Sequence, residues 1–200
     1  MNETNYKNLN NSPSKDIFSS APDVEAIFHQ YYPPGQPLTQ MLWNHSRHVR
    51  DKALGAAEAV SESRPDMDFI NQASLLHDIG VYQTHAPRIH CLGAEPYIRH
   101  GLIGRRILEQ HGLVRHALVC ERHVGAGLSR DDIKTQQLPL PMRDMVPVSL
   151  EEVLICYADK FFSKTNGGHE LPLKVIVNEL GCFGQDKVRL FLKWHEQFQG

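Results

Sequence analysis

The sequence predicts an all-α protein, a helical bundle finished by two short C-terminal helices. Three observations carry that reading. Apolar residues recur at three- to four-residue spacing in the long segments, the segments are bounded by capping residues, prolines and glycines, and no stretch alternates with a period of two.

Residues 1–20 are polar, rich in Asn and Ser and without periodicity, and are read as a mobile tail. A short helix over 22–31 carries Val24, Ile27, Phe28 and Tyr31, and Pro33-Pro34-Gly35 breaks the chain after it. A long helix over 38–60 lines up Leu42, Val49, Ala53, Ala56 and Val60, with His45 inside that stripe and His48 at its edge. Pro65 and Asp66 open the next helix, where Phe69, Ile70, Ala73, Leu76 and His77 share a face and Gly80 is the stop. Residues 82–93 read as an irregular loop holding His85 and His90. Pro96 starts a helix that runs to His111, with His100, Gly104, Ile107 and Leu108 on its inner face. Gly104 there allows a second helix to come close.

Another helix spans 113–123, lined by His116, Val119, Cys120 and His123 and closed by Gly125 and Gly127. Three prolines keep 138–147 extended or irregular. Ser149 caps the following helix with Glu152 at the capping-box position, and the apolar pattern carries that helix to about Lys164 with Asp159 in its middle. Asn166-Gly167-Gly168 reads as a hinge. Helices over 173–180 and 185–198 complete the chain, and Val188, Leu190, Phe191, Leu192, Trp194 and Phe198 give the last one an apolar surface for the main body or a second copy.

Composition bounds the function. The chain of 200 residues is 41% hydrophobic and 22% charged, with a formal charge of −2 that gives no support for a nucleic-acid polymer or an anionic membrane as partner. No apolar run is long enough for a transmembrane helix. Cys91, Cys120, Cys156 and Cys182 form no CxxC pair and read as reduced thiols, which sets the expectation of a cytoplasmic protein. Histidine is the outlier: of 12 in the chain, seven lie between positions 77 and 123.

The chemistry is organised around Leu75-Leu76-His77-Asp78-Ile79-Gly80. An imidazole and a carboxylate side by side on a core-facing turn cost several kcal/mol unless something pairs with them, and one divalent cation satisfies both. Further donors come from other helices: His45 on the long one and Asp159 on the apolar helix near the C-terminus. Taken singly, His45 reads by default as a hydrogen-bonded core histidine, and for Asp159 the partner of an arginine is the plain alternative to a metal. Together with His77 and Asp78 they compose a four-donor N/O set.

That ordered set resembles the HD superfamily of metal-dependent phosphohydrolases, whose skeleton is H…HD…D on a helical bundle. The residues carrying the likeness are His45-Ser46-x-x-Val49, the His77-Asp78-Ile79-Gly80 turn and Tyr157-Ala158-Asp159-Lys160. Tyr97-Ile98-Arg99-His100-Gly101, the run Glu121 to Leu128, Leu138-Pro139-Leu140-Pro141 and Ser149-Leu150-Glu151-Glu152 resemble a small bacterial and archaeal HDIG branch. The resemblance implies an HD domain over 21–165, with 166–200 packed on it as C-terminal helices. It also implies two divalent transition-metal ions (Fe, Mn, Co, Ni or Zn), with His45, His77, Asp78 and Asp159 around the first, His100 and His123 on the second, and Asp78 bridging. Asp78, His100 and His123 are then the catalytic candidates. The alternative is a single tightly held metal, with His100 and His123 binding substrate phosphate.

The expected activity is hydrolysis of a phosphomonoester or phosphodiester of a nucleotide or similar small metabolite, by a hydroxide held between two cations about 3.5–4 Å apart. Lys160, Arg99, Arg122 and Arg143 are candidate phosphate contacts. Val81 stands where the superfamily's deoxynucleotidases resemble H-D-x-x-E and its cyclic-dinucleotide phosphodiesterases H-D-I-G-K, so neither substrate carries over. Two other classes remain open, an HD-fold di-iron oxygenase and a non-catalytic metal- or nucleotide-binding module. The apolar C-terminal helices leave a homodimer open as well.

Overall fold

The computed structural model describes residues 22–199, so the tail read over 1–20 lies outside the described residues. Among the described residues the fold is helical, with a single two-stranded pair. In order come α1 (Val24–Tyr31), α2 (Pro37–Ala59), α3 (Met67–Leu76), β1 (His85–Ala86), β2 (Cys91–Leu92), α4 (His100–Gln110) and α5 (Val114–Arg122). Then follow α6 (Arg130–Thr135), α7 (Leu150–Asp159), α8 (Leu173–Gly181) and α9 (Gln185–Phe198).

Helix α2 is the spine. Its buried face runs Leu42, His45, Ser46, Val49, Ala53, Ala56 and Ala57, and small residues in the second half let neighbouring helices close in. Two apolar cores form on it. One joins Val49 and Ala53 to Phe69, Ile70, Leu154 and Phe161, and is sealed by Phe191, Trp194 and Phe198 of α9. The other joins Leu42 to Phe28, Tyr32, Leu76, Ile79, Ile103 and Ile107. His45 sits one turn from a member of each core, so the polar centre occupies the seam between them. Leu190 and Leu192, assigned on sequence to the apolar surface of α9, are instead 37% and 39% exposed.

The helix starts follow their capping signals. Asp66 accepts from Phe69 N–H at 3.1 Å and Ser149 from Glu152 N–H at 3.2 Å. The Glu152 carboxylate takes Val148 N–H and Arg122 rather than closing the capping box on Ser149.

Several boundaries differ from the sequence reading. Helix α7 ends at Asp159, which is therefore its last residue and not its middle. The segment from Pro96 begins as a 3₁₀ turn over Tyr97–Arg99, and α4 proper starts at His100. The loop after Gly80 contains the short antiparallel pair β1–β2. Helix α6, not foreseen, starts at a full capping box between Ser129 and Asp132. Gly80 does not act by stopping a helix: α3 has ended four residues earlier, and the φ of Gly80 is an ordinary −82°. A Cβ at Gly80 would stand 2.1 Å from the His100 carbonyl oxygen and 2.4 Å from Gly104 N, so the turn must be bare to lie against α4.

Candidate metal centre

Four helices and one turn converge at the seam. His45 comes from mid-α2, His77 and Asp78 from the turn after α3, His100 from the first turn of α4, His123 from the end of α5 and Asp159 from the end of α7. All six are buried, none more than 8% exposed. The turn carrying His77 and Asp78 is pinned by Tyr32, whose hydroxyl donates to Ile79 O and accepts from Tyr82 N–H, each at 2.9 Å.

Asp78 is the hub. Its Oδ2 lies 3.3 Å from His45 Nε2 and 3.2 Å from His77 Nε2, while its Oδ1 lies 3.5 Å from His100 Nε2 and 3.6 Å from His123 Nε2. Asp159 Oδ1 completes the first side, 3.1 Å from His45 Nε2 and 3.4 Å from His77 Nε2. Two donor sets result, His45, His77, Asp78 and Asp159 on one side and Asp78, His100 and His123 on the other, sharing one carboxylate.

Three of the histidines are oriented by one local device. His77, His100 and His123 each bring Nδ1 to the carbonyl three residues earlier, of Ser74, Tyr97 and Cys120, at 2.7, 2.7 and 2.9 Å. Donation of Nδ1–H to those carbonyls leaves each Nε2 lone pair aimed at the centre, the arrangement a metal-binding histidine needs.

The centre is under-satisfied by protein alone. His77 Nε2 and Asp78 Oδ1 are buried without a well-aligned hydrogen bond, and Asp78 Oδ2 is met by the Lys164 ammonium alone. Orphaned donors and acceptors of this kind in a dry site are what a cation would satisfy. Burial drives the His100 ring down to about 3 against the pull of Asp78, and also lowers His123, so both are neutral. Burial would lower His77 too, but Asp78 and Asp159 outweigh it and raise that ring to about 9. Burial likewise opposes ionisation of Asp78 and Asp159, yet Lys164, Lys160 and the histidines hold both well below the usual carboxylate range. Neutral His100 and His123 and the ionised carboxylates, joined by His77 once it gives up its proton, make a hard-to-borderline donor set suited to divalent transition metals.

Comparison with known proteins agrees with this geometry. The family model of the HD domain matches residues 42–163, more than half of the chain. The chain belongs to the HD domain family.

An uncharacterised protein of Methanocaldococcus jannaschii is 35% identical over 124 residues, 60% of this chain and 66% of that protein. Two proteins named tRNA (cytidine(56)-2'-O)-methyltransferase also match. The one from Thermoplasma volcanium is 27% identical over 88% of this chain and 46% of its own length, and the one from Picrophilus torridus 32% identical over 58% and 31%. The chain thus spans about two thirds of the first relative and less than half of the methyltransferases. Among solved structures, the HD domain of the Listeria monocytogenes phosphodiesterase PgpH superposes with a TM-score of 0.51 at 13% identity, covering 86% of this chain and 94% of that one, which shows a shared fold.

A cavity of about 550 Å³ opens on the centre of this HD domain, with His100, His123 and Asp159 on its wall. Lys160, Lys164 and Arg88 line it and bring positive charge. Lys160 Nζ lies 2.9 Å from Asp159 Oδ2, and Lys164 Nζ 2.6 Å from Asp78 Oδ2.

Of the basic residues chosen on sequence, Lys160 lies here, while the three arginines are engaged elsewhere. Arg99 pairs with Glu95 at 3.1 Å, Arg122 with Glu152 at 2.9 Å, and Arg143, together with Arg105, with the buried Glu121. Lys164 and Arg88 were not foreseen. For Lys164 a signal existed, one helical turn beyond Lys160; for Arg88, in the short hairpin, the sequence offers none. His85 and His90 are exposed, and neither lines the cavity.

Proposed function

We propose that this HD domain is a metal-dependent phosphohydrolase that cleaves an ester of a nucleotide or similar small phosphorylated metabolite. The observation behind the proposal is Asp78, which turns one carboxylate oxygen to each of two buried histidine pairs beside a cation-lined cavity. His45, His77, Asp78 and Asp159 are the proposed ligands of one divalent ion, and Asp78, His100 and His123 those of a second. Bound there, such ions neutralise phosphate oxygens and bring the pKa of water towards about 7.

The chain's own groups supply the rest. The carbonyls of Ser74, Tyr97 and Cys120 hold three imidazoles in the tautomer that presents Nε2. The Lys160 and Lys164 ammonium groups, anchored on the ligand carboxylates, are placed to receive phosphate oxygens, and Arg88 extends the same field. Burial of the six central residues keeps bulk water from screening those interactions. This cationic lining favours an anionic substrate over the oxygenase and over a metal-only structural role. The formal charge of −2 gives no support for extending the reading to RNA from the relatives named as tRNA methyltransferases.

The test is turnover of p-nitrophenyl phosphate and bis-p-nitrophenyl phosphate by the full chain, with metal content measured on the same sample. Turnover that a chelator abolishes and Mn²⁺ restores is the expected result. Absence of turnover with every divalent metal, alongside dioxygen uptake by iron-loaded protein, overturns the proposal in favour of the oxygenase.

A further inference from the structure

One wall of the cavity over the centre comes from beyond the stretch matched by the HD family model, which ends at residue 163. Leu171 precedes α8, Ile176 and Leu180 lie on it, and Phe183 occupies the turn before α9. Ile176 and Leu180 are 1% and 4% exposed and belong to the α9-sealed core, so that wall is fixed in place. Phe183 is different. Its ring is 53% exposed, although it faces the cavity, and no core cluster takes it up. Leu180 and Phe183 also border a second, apolar cavity of about 100 Å³, lined by Val124, Ala126, Leu128 and Leu138, so the Phe183 ring stands between the two spaces.

Charge is segregated over the same cavity. Lys160, Lys164 and Arg88 offer positive charge, while α8 contributes Glu179 beside its apolar residues. An anion belongs with the three cations. A second anionic group lying along α8 would meet a carboxylate and an apolar surface, both unfavourable.

We propose that the α8 wall is the subsite for the uncharged part of the substrate, with Phe183 as its specificity-determining residue. The ligand class is a singly phosphorylated molecule whose remainder is uncharged and offers an apolar face, such as an aromatic ring, to α8 and Phe183. The proposal rests on the phosphohydrolase reading for the chemistry of the anionic end alone. Phe183 closes over the apolar face of the remainder and removes both surfaces from water.

Calorimetric titration of the metal-loaded full chain with phenylphosphonate and methylphosphonate tests this, since the two ligands share a head group and neither requires turnover. Phenylphosphonate is expected to bind at least about tenfold tighter, a difference of about 1.4 kcal/mol. Phe183→Ala, at an exposed position that the fold does not need, is expected to cut that preference to about twofold and leave methylphosphonate unchanged; Phe183→Leu keeps most of it. A carboxylate added to the ring is expected to abolish the preference, and Glu179→Gln to restore it. Equal affinity for the two phosphonates, undetectable binding of phenylphosphonate, or a parallel loss of both in Phe183→Ala overturns the proposal. A ring preference in protein that turns over no phosphate ester leaves the subsite standing and removes the hydrolase reading. Turnover without the preference removes the subsite alone.

Discussion

Asp78→Asn is the sharpest perturbation of the centre, because it keeps the shape of the side chain and removes only its charge. The two donor sets are unequal in what they lose. The first keeps His45, His77 and the carboxylate of Asp159; the second keeps only His100 and His123, both neutral and without any anionic donor. Changing a group that merely supports a ligand costs 10–100-fold in metal affinity, so loss of a charged ligand sets a floor of roughly 100-fold, or about 2.7 kcal/mol, for the first set. The second set is expected to empty. Elemental analysis and calorimetry on protein loaded with Mn²⁺ should therefore fall from two equivalents to one or fewer, and ester turnover by at least about a thousandfold. The substitution also strands the Lys164 ammonium that now sits 2.6 Å from Asp78 Oδ2, and breaking a buried pair from one side costs about 3–5 kcal/mol. Circular dichroism at the assay temperature separates a folded, metal-poor variant from an unfolded one. Two equivalents bound by folded Asp78→Asn at unchanged affinity would refute the bridging role.

Three further outcomes are expected. Because His77 titrates at about 9 in the absence of a cation, binding a metal at Nε2 at pH 7 should release about one proton, and the release should vanish above about pH 10; calorimetry in buffers of different ionisation enthalpy reads this directly, and no release at pH 7 would contradict it. Gly80→Ala forces a Cβ onto the His100 carbonyl and the Gly104 amide, so it should cost about 2–3 kcal/mol and lower Tm by roughly 5–10 °C, whereas Gly55→Ala on α2, with open space around it, should be neutral or slightly stabilising. Burial and Arg115 hold His116 down at about 4, below its unfolded value near 6.5, so protons bind the unfolded chain first and stability falls as pH drops through that window. Discounted for partial exposure, the effect is about 1–2 kcal/mol between pH 7.5 and 5, and urea melts of His116→Leu should lack it.

The helices that carry the centre were legible because each has a strong apolar period and a capping residue at its start. The misread end of α7 shows where that signal fails. Phe161 and Phe162 extend the apolar run past Asp159, and Phe161 is 2% exposed, so hydrophobic burial continues after the helical hydrogen bonds have stopped. Helix α6 was invisible for the opposite reason: six residues with a single buried side chain, Ile133, generate no period, and its only mark is Ser129 three residues before Asp132. The basic residues were the least legible group. Whether an arginine is free for a phosphate depends on which carboxylate the fold brings to it, and Glu152 and Glu121 reach Arg122 and Arg143 from 30 and 22 residues away.

The candidate ligand histidines themselves follow a rule that the sequence states indirectly. His77, His100 and His123 are each the residue that closes a helical segment, α3, the 3₁₀ turn over Tyr97–Arg99, and α5 respectively. The last carbonyls of a helix have no partner within it, and an imidazole at the closing position reaches the one three residues back. For His77 and His123 that contact gives a helix-end carbonyl a partner, for His100 it adds to the backbone N–H that Tyr97 O already accepts, and in all three it turns Nε2 towards the centre. His45 lies inside α2, where the carbonyls are already taken, and its Nδ1 is left buried without a partner. The chain thus builds three donors preset by a backbone carbonyl and one, His45, aligned through Nε2 on Asp159 Oδ1 at 3.1 Å. His45 is consequently the candidate histidine ligand without a backbone anchor, its ring set by the carboxylate of Asp159 with which it would share a cation.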